Sequence, residues 1–119
     1  MKEKKIIKIS FEGNSPYEAN KILAEMESFL MDSPAEIEIK REKSDHSTMD
    51  LGTILMIILN SAAAVVIAKG IYALLKKYKG VKIKIYHEGK LLFEAEKIGG
   101  KDIKIKDIIR LLTQLWRES

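Results

Sequence analysis

Leu51–Ala68 reads LGTILMIILNSAAAVVIA, with Asp50 before it, Lys69 after it and no charge inside. Its reading decides the fold. An uncharged run of this length is either the central helix of a soluble core or a marginal membrane span. The apolar residues Leu51, Ile54, Leu55, Ile57, Ile58, Leu59, Val65, Val66 and Ile67 favour insertion by roughly 3–5 kcal/mol in total. Gly52, Thr53, Asn60 and Ser61 oppose it, and Asn60 and Ser61 fall at the centre, where polar groups are most expensive. The balance is near zero, so the run is read as a core helix, with a membrane-inserting segment over 51–75 as the alternative.

Read as one helix, the stretch starts near Thr48–Asp50, where an acidic cap also suits the positive end of the dipole. It continues through Ile71, Tyr72, Leu74 and Leu75 to about Lys77, with Lys69, Lys76 and Lys77 at the cation-favouring end and Gly80 as a glycine cap. About 28 residues make a rod of roughly 42 Å.

Working outward, Lys5–Glu12 alternates Ile7, Ile9 and Phe11 with Ile6, Lys8 and Ser10, the period of a half-buried strand. Ser15, Pro16 and Glu18 then form a helix-start signature. Ile22, Leu23, Met26, Phe29 and Leu30 recur at helical spacing, so a helix is predicted over 16–31. Asp32-Ser33-Pro34 ends it. Ala35, Ile37 and Ile39 alternate with Glu36, Glu38 and Lys40 as a second strand, and Arg41–Thr48 is polar throughout and reads as a loop.

After Gly80, Val81, Ile83 and Ile85 alternate with lysines, Glu88-Gly89 makes a tight turn, and Leu91, Phe93 and Ala95 alternate in turn. This is a β-hairpin, with lysines on one strand facing glutamates on the other. Gly99-Gly100 closes it. Asp102 or Asp107 caps a last helix striped by Ile105, Ile108, Leu112, Leu115 and Trp116. The expected fold is α+β in the order β-α-β-α-β-β-α. One four-stranded mixed sheet is packed by the long central helix and two flanking helices. Residues 1–119 form a single domain: a β-α-β unit over 5–41, the central helix over 49–78, the hairpin over 81–96 and the C-terminal helix over 103–117.

The chain has 119 residues, 46% of them apolar and 32% charged, values typical of a globular domain able to build its own core. It lacks cysteine, which removes disulfides, thiolate metal sites and cysteine nucleophiles. A net charge of +4 and a pI near 9.2 raise nucleic-acid binding as a reading. The lysines are interleaved with glutamates, however, and only Lys76, Lys77 and Lys79 cluster, which argues for a solvated surface. Ile6–Phe11 is too short and interrupted for a signal-peptide core, so a cytoplasmic location is expected.

Catalytic chemistry finds little footing. His46 sits in a polar loop and His87 at a hairpin turn, and neither belongs to a nucleophile-base constellation. His46 with Asp45 and Asp50 is too loose for a metal site. Glu25 and Glu27 are two apart on a helix and do not face each other, while Glu36 and Glu38 lie on a solvated strand face. Gly99-Gly100-Lys101-Asp102 lacks the spacing of a phosphate-binding loop. No catalytic, cofactor or metal residue is assigned, and the chain is expected not to be an enzyme.

A helix that is apolar nearly all round must be covered all round. On the 51–75 helix one arc is small and weakly polar: Thr53, Ile57, Asn60, Ser61, Ala64, Ala68 and Tyr72. A single sheet covers only one side, so this arc is the expected contact with a second copy of the chain or a partner helix.

The same region carries a resemblance. Asp50-Leu51-Gly52-Thr53, Leu59-Asn60-Ser61-Ala62-Ala63-Ala64 and Ile71-Tyr72-Ala73-Leu74-Leu75-Lys76, followed by the hairpin Val81–Ile85 and Leu91-Leu92-Phe93-Glu94, resemble the effector-associated constant component family of bacterial conflict systems. The match spans about residues 49–96. Lysine and isoleucine stand here where that family favours arginine, alanine and tryptophan. The resemblance implies a small non-enzymatic accessory component that oligomerises or docks to an effector protein, with no cofactor. It brings no site residues with it.

Overall fold

The computed structural model describes residues 5–13, 15–43, 53–78, 80–96 and 105–117. The elements in chain order are β1 (Lys5–Glu12), α1 (Pro16–Met31), β2 (Ile39–Lys43), β3 (Thr53–Leu59), α2 (Ser61–Lys77), β4 (Lys82–His87), β5 (Lys90–Glu96) and α3 (Ile105–Arg117). The strands make one five-stranded sheet in the order β2-β3-β1-β4-β5, and every neighbouring pair is antiparallel. The succession β1-α1-β2-β3-α2-β4 follows the split β-α-β arrangement of ferredoxin-like topologies. The β4–β5 hairpin then extends the sheet by one strand, and α3 follows.

The α+β class holds, but the four-stranded mixed sheet and the predicted element order do not. The long helix over 49–78 is two elements. Thr53–Leu59 is a strand paired with both β1 and β2, and the helix begins at Ser61. The physical reason lies in Asn60 and in the composition on either side of it. Ile54–Leu59 is dominated by β-branched and long aliphatic residues that suit a strand, whereas Ser61–Ala64 is small and helix-compatible. Asn60 is extended at φ −144° and its Oδ1 accepts the Ala63 amide at 2.8 Å, a helix N-cap. The strand's alternation is hidden in the sequence. Leu55, Ile57 and Leu59 are buried, but Ile54, Met56 and Ile58 on the other face are apolar too. Among the described residues no helix is long and apolar enough to cross a membrane.

The second strand also shifts. It runs over Ile39–Lys43, partly inside the stretch expected to be loop. Its inner-face register position opposite buried Leu55 is Arg41, whose guanidinium reaches Glu27 of α1 at 2.8 Å. An ion pair stands where the apolar pattern looked for a hydrocarbon. The expected caps at Thr48–Asp50, the Asp102 cap, His46 and Gly99-Gly100 lie outside the described residues.

Elsewhere the local chemistry acts as its sequence predicts. Ser15 Oγ accepts the Glu18 amide at 3.1 Å and Pro16 occupies the first turn of α1. Glu88 and Gly89 both have positive φ, at 53° and 77°, which fits the two-residue turn whose twist matches a hairpin. Gly80, with φ 77°, sits in the turn leading into β4, past the Tyr78 cap of α2.

The helices and one sheet face enclose a single core. Ile7, Ile9, Leu55, Ile57, Ile83 and Ile85 come from the sheet, Ile22, Leu23 and Met26 from α1, Ala64, Ile67 and Ile71 from α2, and Ile108 and Leu112 from α3, all at most 1% exposed. Gly70 lets α2 approach α1. A Cβ there would lie 2.8 Å from Met26 Sδ and 3.0 Å from Phe29 Cδ1. The opposite face of the sheet is left to be accounted for.

Candidate functional site

The arc expected on a continuous helix is distributed over two elements. Thr53 and Ile57 belong to β3, and Ile57 is fully buried against the helices. Asn60 is the cap, with its Nδ2 also donating to the Glu36 carbonyl at 3.3 Å. Ala64 and Ala68 are fully buried inside the core. Ser61 is exposed, and Tyr72 is half-buried under the Lys76 ammonium at 4.9 Å from its ring centre. Ala64 and Ala68 therefore serve close packing within the chain, and the seven residues do not share one surface.

The outward apolar surface is on the sheet. Antiparallel partners share a face, so the register defines rows across it. Lys8 of β1 is opposite Met56 on one side and Tyr86 on the other. Lys40 continues this row beyond Met56, and Leu91 continues it beyond Tyr86 past the irregularity between Ile85 and Tyr86. One step along the strands, Ile6 is opposite Ile58. One step the other way come Ile54, Ser10 and Lys84. Ile6 is 39% exposed and Leu91 48%, against 0% for Ile7 and Ile9 on the same strand as Ile6. A depression of 610 Å³ opens here, lined by Ile6, Lys8, Ser10, Ile54, Met56, Tyr86, His87, Glu88 and Gly89.

Three of the lysines on this face are matched within the chain. Lys8 Nζ lies 3.5 Å from Glu42, Lys84 Nζ 3.0 Å from Glu12 and Lys82 Nζ 3.1 Å from Glu94. The hydrogen bond that Lys84 donates to Glu12 raises the Lys84 pKa above its ordinary value, against a smaller opposing effect of burial. The lysines expected to face glutamates across the hairpin do so in register, Lys82 opposite Glu96 and Lys84 opposite Glu94, with Lys82 ion-paired diagonally to Glu94 and Lys84 to Glu12 on β1. These exposed pairs contribute little stability singly. Their effect on the surface is larger, because they leave an apolar strip bordered by neutralised charge.

Other concavities lie among the described residues. A 550 Å³ cleft at the α1–α2 corner is lined by Phe29, Pro34, Ala62, Val65, Val66 and Lys69, among others. A 530 Å³ groove along α3 is lined by Lys106, Ile109, Arg110, Thr113, Gln114 and Arg117. At the far end of α2, Glu25 accepts from Lys77 Nζ at 2.6 Å and from the Tyr78 hydroxyl. The Lys77 hydrogen bond, followed by that from Tyr78, lowers the Glu25 pKa, and the same contacts raise those of Lys77 and Tyr78. This cluster ties α1 to the end of α2 on the helical side of the molecule, away from the open sheet face.

His87 is 14% exposed and lies 3.8 Å from Glu88, at the rim of the sheet depression and with no carboxylate-histidine-nucleophile series around it. Among the described residues no three histidine, aspartate or glutamate side chains gather as a metal site would require. Compared with known proteins, the chain matches no family model, no curated protein and no solved structure.

The sheet surface was not named from sequence. Its signal was present in Ile54, Met56 and Ile58, which a helical reading placed around a cylinder and a strand places in a line.

Proposed function

We propose that this chain is a non-enzymatic, cytoplasmic accessory or adaptor module that works by docking a protein on the face of its sheet opposite the helices. The observation that carries this reading is the apolar strip of Ile6, Ile54, Met56, Ile58, Tyr86 and Leu91, lying on the side of the sheet opposite its helices. Apolar side chains side by side on an exposed sheet are unusual unless something covers them. The resemblance of residues 49–96 to the effector-associated constant component family supports the same reading. It suggests an effector of a bacterial conflict system, or a copy of the chain itself, as the covering protein.

A protein partner is favoured over nucleic acid by the charge arrangement. Phosphate binding needs lysines or arginines whose charge is available to the backbone. On this face Lys8, Lys82 and Lys84 each have a carboxylate within 3.5 Å.

A photo-crosslinking side chain placed at Met56, with another at Tyr17 as control, tests the reading in cells that carry the chain naturally. Tyr17 is 79% exposed on α1. Protein adducts from position 56 and not from 17 are expected. Equal labelling at both positions, or none at 56, would contradict docking on the sheet.

A further inference from the structure

We infer that the occupant of the open sheet face is a second copy of the chain, packed sheet to sheet about a two-fold axis that runs along β1. The inference rests on the docking reading above and adds the identity of the partner.

In a two-fold contact the same patch serves both copies, so if residue i meets j, then j meets i. The row across the middle of the face has this property. Met56 and Tyr86 are both register partners of Lys8, one on each side of β1. A two-fold axis along β1, between two stacked sheets, lays the β3 column of one copy over the β4 column of the other. Met56 then meets Tyr86 of the second copy twice, once in each direction. A thioether against an aromatic ring is a favourable pairing.

The axis itself must be free of like charge, and β1 supplies the residues that lie on it. Ile6 would meet its own copy, an apolar contact. Ser10 is small and 2% exposed, so it presents little to the partner. Lys8 would be the obstacle, but its ammonium is drawn across β3 to Glu42 on β2. Only its aliphatic stem then remains at the centre, as long cationic side chains allow. Lys82 and Lys84 are matched in the same chain, and Lys40, at the β2 end of the row, would lie over Leu91 of the second copy, so the repulsion between two copies that each carry a net charge of +4 is reduced at the contact.

Size agrees. Five strands at about 4.8 Å spacing, of five to eight residues at about 3.4 Å, give a face of roughly 24 by 17–27 Å. Two such faces stacked at about 10 Å would interlock their side chains as sheets in sandwiches do. The contact falls at the small end of specific interfaces, which suits an association in the micromolar range.

Ile6 gives the decisive test, because a residue on the axis meets only itself. Sedimentation equilibrium of the full chain, from about 5 to about 500 µM, should show a monomer–dimer equilibrium. Ile6→Glu and Ile6→Lys should each weaken it at least tenfold, and an equimolar mixture of the two variants should recover a heterodimer. Phe29→Glu on the helical layer should leave association unchanged, and circular dichroism should show each variant folded. A chain that stays monomeric throughout would overturn the inference. So would a dimer indifferent to Ile6→Glu, or a mixture that fails to recover dimer while each variant is folded. Crosslinks from Met56 to a different protein, with the isolated chain monomeric, would remove the second copy as occupant and leave docking on the sheet standing. An absence of any adduct from Met56 would remove both.

Discussion

Asn60 Oδ1 accepts the Ala63 amide proton at 2.8 Å while the residue itself stays extended, so β3 stops and α2 starts across one peptide unit. The cap satisfies an amide that α2 cannot pair internally. Asn60→Ala removes that acceptor and the side-chain bond to the Glu36 carbonyl together. The expected loss is about 1 kcal/mol, within the roughly 0.5–2 kcal/mol seen for caps, read as a lower urea midpoint with an unchanged slope.

Ile57 and Ile58 are adjacent but face opposite ways. Ile57 is fully buried among the helices, and Ile58 lies opposite Ile6 on the open face. Ile57→Ala should cost about 2–5 kcal/mol. Ile58→Ala should cost under about 1 kcal/mol in dilute solution, where only partial burial is lost. Denaturant unfolding of the two variants compares them directly. Equal losses would speak against the strand.

These two positions also show what the sequence could tell and what it hid. α1 was legible because Ser15, Pro16 and Glu18 announce its start and five apolar positions recur at helical spacing. The hairpin was legible because lysines alternate with isoleucines up to the glycine turn. β3 was not, because both of its faces are apolar, and a strand without polar alternation cannot be told from a buried helix by period. The alanines beyond Asn60 then made a continuous helix look natural. β2 was displaced for the opposite reason: its inward position is Arg41, neutralised by Glu27. Both misreadings arise where a tertiary partner replaces the usual pattern. The apolar face that disguised β3 is the surface proposed to bind.

Gly70 is where α2 comes nearest to α1. Alanine in a helix interior is usually better than glycine by about 1 kcal/mol. Here the added methyl would press on Met26 Sδ at 2.8 Å, so Gly70→Ala should change stability by less than about 1 kcal/mol as the two effects offset. Gly70→Val has more to place and should cost about 1–3 kcal/mol. Thermal unfolding of both variants separates the two outcomes.

Glu88 holds a left-handed conformation, φ 53°, that glutamate adopts reluctantly. Asparagine followed by glycine is the preferred pair for this turn. Glu88→Asn should raise stability by about 0.5–1 kcal/mol, since the exposed contact to His87 at 3.8 Å is worth little. A higher urea midpoint is the expected reading.

Glu25 sets a pH dependence of known sign. Its pKa is lowered in the folded chain by the Lys77 and Tyr78 hydrogen bonds. Its stabilising effect is therefore present above the ordinary carboxylate value of 4.5 and is lost as pH falls through the lower folded value. Lys77 and Tyr78 are raised, so their share is full below their ordinary values of 10.5 and 10.0 and fades as pH rises through the raised folded ones. Glu25→Gln should be less stable than the parent at neutral pH. The gap should narrow on the acid side below 4.5 and on the alkaline side above 10. A gap constant across the whole range would show that the cluster does not act through ionisation.

The central claim is that Met56 of one copy lies against Tyr86 of another. Within one chain their strands are two spacings apart across β1, roughly 9.6 Å, and both side chains line the same depression, so contacts within a copy must be filtered out. A filtered NMR experiment on an equal mixture of isotope-labelled and unlabelled chains reads only contacts between copies. Cross-peaks between the Met56 methyl and the Tyr86 ring are the predicted result. A filtered spectrum with no cross-peak between the Met56 methyl and the Tyr86 ring, at concentrations where the protein sediments as a dimer, would contradict it.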